Sequence, residues 1–185
     1  MAQPDATPEF SRLVPLTSID RRGFSQTIEA SPAERTALAE RFGLIALDRL
    51  VADVRLRPVN GGTAIRLDAR ITADCVQRCT ATLEPLPVTV AEEFALLYSA
   101  EARTGGDLDI EYADEVLEPL DGDSIDIGEA VAQELSLALD PFPRAPGATP
   151  EDLDGAAPGL SEDRHSSDGA LAALARWNRS GGRDG

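Results

Sequence analysis

"RLVADVRLRPVNGGTAIRLDARITA", residues 49–73, reads as two strands folded back on each other. In the first arm, Leu50, Ala52, Val54 and Leu56 alternate with Val51, Asp53, Arg55 and Arg57. In the second, Ile65, Leu67, Ala69 and Ile71 alternate with Arg66, Asp68, Arg70 and Thr72. A period of two is that of a strand, whose successive side chains point to opposite faces. Between the arms, Pro58 to Gly62 is turn chemistry, because Asn60 and the glycines tolerate positive φ. The stretch predicts an antiparallel hairpin with one aliphatic buried face and one arginine-bearing wet face.

Outward from the hairpin, residues 82–100 predict a third long strand, with Pro85 and Pro87 favouring an edge or a bulge at its start. Upstream, residues 10–19 suit a short edge strand and residues 23–30 a second strand. Residues 31–42 carry the clearest helix signals. Ser31 is a natural N-cap, Pro32 sits at the first helical position, Glu34 completes a capping box and Gly43 is the stop. A second helix is predicted over 126–139, with Asp126 as N-cap and Glu129 three residues on, again as a capping box. Its Ile127, Val131, Leu135 and Ala138 follow helical spacing, with Ala130 and Leu137 beside them. Residues 101–124 form an acidic excursion with room for a short strand, and the prolines of 141–150 end regular structure. The fold class is therefore α+β: a mainly antiparallel sheet, with curling toward a barrel left open, and two main helices. Residues 1–9 read as a loose N-terminus, 10–144 as the folded domain, and 145–185 as a flexible acidic tail with a short helix at 168–179.

Charge is divided unevenly along the chain. The formal net charge is −16, yet residues 1–90 hold 11 arginines and 11 acids, while residues 91–185 hold 6 arginines and 22 acids. All the excess acidity lies in the second half. Lysine is absent, so every side-chain cation is an arginine. A chain this acidic repels phosphate on average, which argues against general nucleic-acid affinity. No stretch approaches the roughly 20 apolar residues that span a bilayer, and the first residues lack the pattern of a secretory signal. With only two cysteines, these features predict a cytoplasmic protein with no membrane association.

Both cysteines fall in "ITADCVQRCTATLEP", residues 71–85. Zinc needs about four protein ligands in a structural site. The chain offers Cys75, Cys79 and a single histidine, His165, in the expected tail. A redox pair usually has two residues between its cysteines and opens a helix, whereas three separate these. A weak redox role through acidification by Arg78 stays open, as does a zinc site shared by two chains. On physical grounds the leading reading is that one or both are small buried apolar residues at a strand end. The acid groups Asp107–Asp109–Glu111 and Asp121–Asp123–Asp126 lack the ligand order of a calcium loop and read as solvated surface. No Gly-rich phosphate loop and no Ser/His/Asp set is present, and neither cofactor nor enzymatic activity is expected.

Two separated motifs carry a resemblance. Cys75, Arg78, Cys79, Leu83, Glu84 and Pro85 form the first; Ile125, Asp126, Ile127, Glu129, Glu134, Leu135, Leu137, Leu139, Pro141 and Pro143 form the second. In this order and separation they resemble the signature of the YceD-like family of large ribosomal RNA subunit accumulation proteins, over about residues 10–150. The principal signature positions are Cys75, Arg78, Cys79, Pro85, Asp126, Glu129 and Glu134. The sequence departs from the pattern in the spacing of its cysteines, in Thr80 where a leucine is usual, and in lacking further cysteines after the proline-rich segment. The resemblance implies a bacterial, non-catalytic role in the accumulation of 23S ribosomal RNA.

Two functional expectations follow. In the first, the protein touches precursor 23S ribosomal RNA through Arg55, Arg57, Arg66, Arg70 and Arg78, which a simple hairpin would gather into one cationic stripe. In the second, the acidic half is an interaction module that captures a basic large-subunit ribosomal protein without direct RNA contact.

Overall fold

The 49–73 hairpin is the centre of a five-stranded sheet, and both its arms run longer than their alternation required. In the computed structural model, which describes residues 8–100, 116–120 and 122–148, the arms are β3 (Ala46–Val59) and β4 (Ala64–Arg78). Asn60, Gly61 and Gly62 turn between them at φ of 50°, 67° and 98°. The antiparallel register sets Leu50 opposite Ala73, Ala52 opposite Ile71, Val54 opposite Ala69 and Leu56 opposite Leu67. All eight are buried, so the aliphatic face predicted from the alternation is the core face. Burying each of the large ones contributes about 1.5–3 kcal/mol. A bulge between Leu47 and Arg49 shifts the register near the start of β3.

The sheet grows outward in chain order. β2 (Phe24–Glu29) pairs antiparallel with β3, and β5 (Pro85–Ser99) pairs antiparallel with the whole of β4. A four-residue strand, β6 (Val116–Pro119), then adds in parallel to Leu96–Ser99. The order β2-β3-β4-β5-β6 leaves β2 and β6 as separate edges, so the sheet is open and does not close into a barrel. Along residues 85–95, β5 has β4 as its one described neighbour. That suits Pro85 and Pro87, which have no N–H to give a second strand.

The first predicted strand lies elsewhere. Only Leu13–Pro15 is extended, as β1, and it pairs with β7 (Ser124–Asp126) in a small separate sheet. Pro15 closes the strand, and a 3-10 turn, Leu16–Ser18, follows at once.

Two helices cover one face of the main sheet. α1 (Pro32–Phe42) has the predicted capping box: Ser31 Oγ accepts from the Glu34 N–H, and the Glu34 carboxylate accepts from the Ser31 N–H at 2.7 Å. Gly43 closes it in the left-handed region at φ 66°. α2 (Ile127–Ala138) is capped by Asp126, whose side chain accepts from the Gly128 and Glu129 N–H groups. The reciprocal half of its expected box is not made, because Glu129 turns to Arg41 on α1. Ile127, Ala130, Val131 and Leu135 enter the core with Leu38 and Ala39 of α1. Leu137, which shares their spacing, is 77% exposed. Gly128 allows the close approach of the chain's first described residues. A Cβ there would stand 2.5 Å from the Phe10 carbonyl oxygen.

Residues 1–7, 101–115, 121 and 149–185 fall outside the described residues, and with them most of the expected loose N-terminus, the acid group 107–111, Asp121, His165, the expected tail from 149 and its helix at 168–179. No helix among the described residues is long and apolar enough to cross a membrane.

Candidate nucleic-acid interface

Four of the five arginines expected to touch RNA lie on the wet face of the hairpin, and Arg78 does not join them in one stripe. Arg57 stands opposite Arg66, Arg55 opposite Asp68 and Asp53 opposite Arg70. Asp68 bridges Arg66 at 2.8 Å and Arg57 at 3.2 Å, and Glu93 on β5 holds Arg70. Arg55 is exposed and makes no ion pair with any described residue. A shallow hollow lined by Asp53, Arg66, Asp68, Arg70 and Glu93 marks the centre of the patch. Arg66 keeps only 21% of its side-chain surface exposed, and Ala64, Leu97 and Ser99 at the turn end of this face are buried. The hairpin therefore gathers four guanidiniums and interleaves acids among them. Cross-strand charge pairs of this kind also stabilise a sheet, by about 0.2–1 kcal/mol each. Arg78 lies apart, at the far end of β4, about 40 Å from Arg66 at the rise of an extended chain.

Arg78 belongs instead to a second site, built where the two signature motifs meet. Cys75 points into the core from the inner face of β4, opposite Leu47 and Val88. Burial pushes its thiol up from the ordinary value, helped by Asp74 and Asp48. Cys79 is one residue past β4, in a tight loop where its N–H donates to the Glu84 carbonyl and its carbonyl accepts from the Leu83 N–H. Leu83 takes φ 62° to close that loop, a strained setting for a residue with a Cβ. The Cys79 Sγ accepts from the Thr82 N–H at 3.5 Å and from the Ala145 N–H at 3.3 Å. The Thr82 hydroxyl, then the Ala145 and Thr82 amides, bring its thiol down to about 7. Both thiols are free. Four residues of extended chain separate their Cα atoms by about 13 Å, beyond the roughly 7 Å reach of a disulfide. The pair thus has two different jobs: Cys75 fills the core, and Cys79 ties the proline-rich segment to the end of β4.

That segment forms a strap. The Thr80 N–H and hydroxyl both donate to the Pro143 carbonyl, at 2.8 and 3.2 Å, and Gln77 Nε2 donates to the Asp140 carbonyl at 2.9 Å. Between the strap, the end of β4 and the C-terminal end of α1 lies a cleft of about 570 Å3. Arg41, Arg78, Thr80 and Ser136 give it polar groups, and Phe42, Leu44, Leu139 and the prolines give it apolar walls. Arg41 is fixed by Glu9 at 2.9 Å and by both oxygens of Glu129 at 2.8 and 3.0 Å. Among the described residues Arg78 makes one such bond, of 3.3 Å to the Leu83 carbonyl.

The other signature residues act at a distance from this cleft. Asp126 accepts from the Ser11 hydroxyl at 2.6 Å and the Arg12 N–H at 2.7 Å, besides its two capping bonds. Pro85 is the first residue of β5. The Glu134 carboxyl on α2 is raised by burial, then by Glu118. Among the described residues no group of three or more His, Cys, Asp or Glu side chains is placed so that it could hold a metal ion. Sequence reasoning missed Gln77, Asp140 and Arg41. Gln77 was the legible one: it has the inward parity of Ala73 and Cys75, and a polar residue at a core-facing position signals a bonded network.

A family model, Large ribosomal RNA subunit accumulation protein YceD, matches residues 67–176. The chain belongs to the YceD family. No curated protein and no solved structure matches it. The matched stretch takes in both signature motifs, the end of β4 with the loop that follows it, and the strap. Of the five candidate arginines, Arg70 and Arg78 lie inside it, and Arg55, Arg57 and Arg66 precede it. The family's description is of an accumulation protein and names no reaction, so the role it gives is in large-subunit ribosomal RNA accumulation.

Proposed function

We propose that this YceD protein is a non-catalytic factor in large-subunit ribosomal RNA accumulation and assembly, and that it contacts precursor 23S RNA directly from the cytoplasm. The observation that carries the contact is the hairpin register, which sets Arg55, Arg57, Arg66 and Arg70 on one sheet face within two neighbouring strands. Planar guanidiniums suit phosphate and base stacking, and a shallow face suits single-stranded or looped RNA. The interleaved Asp53, Asp68 and Glu93 keep the patch weakly charged, which matches a factor that must release its RNA. Replacing the four arginines together by alanine lowers affinity for a 23S fragment. It also reduces the slope of log affinity against log salt by up to about 3, at about 0.7 per phosphate contact. Filter binding across a salt series checks this, and an unchanged slope removes the face from the argument.

One observation favours a second reading. The net charge of −16 would draw a basic large-subunit ribosomal protein at low salt. Co-purification of such a protein from native cells, with only background RNA after ultraviolet crosslinking, favours that reading over direct RNA contact.

A further inference from the structure

On the core-facing side of β5, one position breaks the apolar pattern. Val90 and Leu96 on that side are buried, and Phe94 packs against the core beside them. Glu92 has the same parity and stands opposite the fully buried Ile71, yet it is exposed. With Phe94 it lines a groove of about 300 Å3 shared with Glu134, Leu137 and Ala138 of α2. Leu137 is 77% exposed there. A lone exposed leucine needs no explanation, but one that lines a groove with an aromatic ring gives a partner's apolar side chain a seat. The rim is acidic and unanswered. Among the described residues Glu92, Glu118 and Glu134 make no side-chain hydrogen bond or ion pair, whereas Asp126 and Glu129, at the start of α2, are both engaged. Burial raises the Glu134 carboxyl, and Glu118 raises it further. The fold therefore leaves an apolar seat between carboxylates that have no cation.

We propose that this groove receives a basic amphipathic helix of a partner protein. The helix seats an apolar side chain against Phe94, Leu137 and Ala138 and sets its lysines or arginines on Glu92 and Glu134. This gives the second reading above a location and rests on that reading's basic partner. It is independent of RNA contact, because Arg66 and Arg70 share the parity of Glu93 and so lie on the opposite face of the sheet. The charge of the rim selects the occupant. Carboxylates repel the phosphates of RNA, and a neutral small molecule would leave them as they are. A volume of about 300 Å3 is also the lower limit of small-molecule sites, which run from about 300 to 1,000 Å3. It suits one anchoring side chain. On a helix, residues three and four apart share a face, so an apolar anchor and its flanking cations reach the groove together.

The test titrates two synthetic peptides of one composition, lysine, leucine and alanine, with the full chain and follows fluorescence anisotropy. In one peptide the leucines repeat with helical spacing; in the other the order is scrambled. The striped peptide binds more tightly at low salt. Glu92→Gln with Glu134→Gln weakens it about fivefold, the scale of two exposed ion pairs. Glu29→Gln with Glu40→Gln removes the same charge from exposed positions elsewhere and changes affinity by less than about twofold, since distant exposed charges are screened. Leu137→Ser weakens the striped peptide and leaves the scrambled one unchanged. These variants keep the fold, because Leu137 is exposed and Glu92 and Glu134 have no bond to lose. Equal losses in the two double variants, or equal binding of the two peptides, overturn the groove and leave the diffuse attraction of an acidic protein standing. No binding of either peptide at low salt removes both. A wild-type dimer that Leu137→Ser dissociates, read by sedimentation, assigns the groove to a second copy of the chain and overturns the proposal.

Discussion

Cys79 shows how a single residue can look like chemistry and act as architecture. Its sulfur accepts amide N–H groups from two segments, one just after it and one 66 residues further along the chain. Those donors favour the thiolate, so the depressed thiol titrates near neutrality although the residue is buried. In a Cys75→Ala background, thiolate absorbance against pH has a midpoint of about 7; a midpoint near the ordinary thiol value of 9.0 would contradict the bonding described. A folded-state value below the unfolded one contributes stability that is complete above pH 9 and is lost as pH falls through 7. Cys75, four residues earlier, moves in the opposite direction because no donor offsets its burial. Spacing in sequence could not separate the two roles, since both cysteines share an inward parity and only the loop after Arg78 divides them.

At the level of elements, Asp126 joins more of the fold than any helix cap has to. One carboxylate ends β7, caps α2 and binds the backbone and side chain that lead into β1. Asp126→Ala therefore costs about 2 kcal/mol, more than the roughly 1 kcal/mol of an isolated cap, because two further part-buried donors lose their acceptor. Urea unfolding checks it, and a loss below about 1 kcal/mol would mean that only the cap matters. The caps of α1 and α2, the hairpin and the proline edge of β5 were all legible, because each depends on neighbours within four residues. The pairing of β1 with β7, the parallel β6 and the partner of Glu129 were not. Each is a meeting of segments 20 or more residues apart, and no local period records it.

Across the whole molecule, acid resistance depends on a contact between the N-terminal segment and α1. Arg12 binds both oxygens of Glu34 at 2.7 and 3.0 Å and also reaches the Ser11 and Glu29 carbonyls. With Arg12 as the largest cause, the Glu34 carboxyl is held down to about 2 against an ordinary 4.5. A depressed carboxylate contributes stability that is present above pH 4.5 and lost as pH falls toward 2. Glu34→Gln therefore lowers stability at neutral pH by about 2 kcal/mol, part of the full linkage value being lost to solvent screening. The difference from wild type closes as pH falls through that window; a difference that stays constant with pH would show that the charge of Glu34 is not its cause. Denaturant melts at several pH values make the comparison.

By itself the sequence determined the elements of this protein and the faces they bury. The two-residue period of 49–73 set which side of the hairpin meets the helices, and the caps at Ser31 and Asp126 set where the helices begin. Those are short-range consequences of sterics, backbone hydrogen bonding and the removal of apolar side chains from water. Only the tertiary structure decided what the polar residues do. It dispersed the arginines among Asp53, Asp68 and Glu93, moved Arg78 out of their company, and folded the strap back over Gln77. Charge pairing and hydrogen bonding act over a few ångströms in space, and groups on different strands or segments, such as Arg70 and Glu93 or Gln77 and Asp140, come within that range only when the chain has folded.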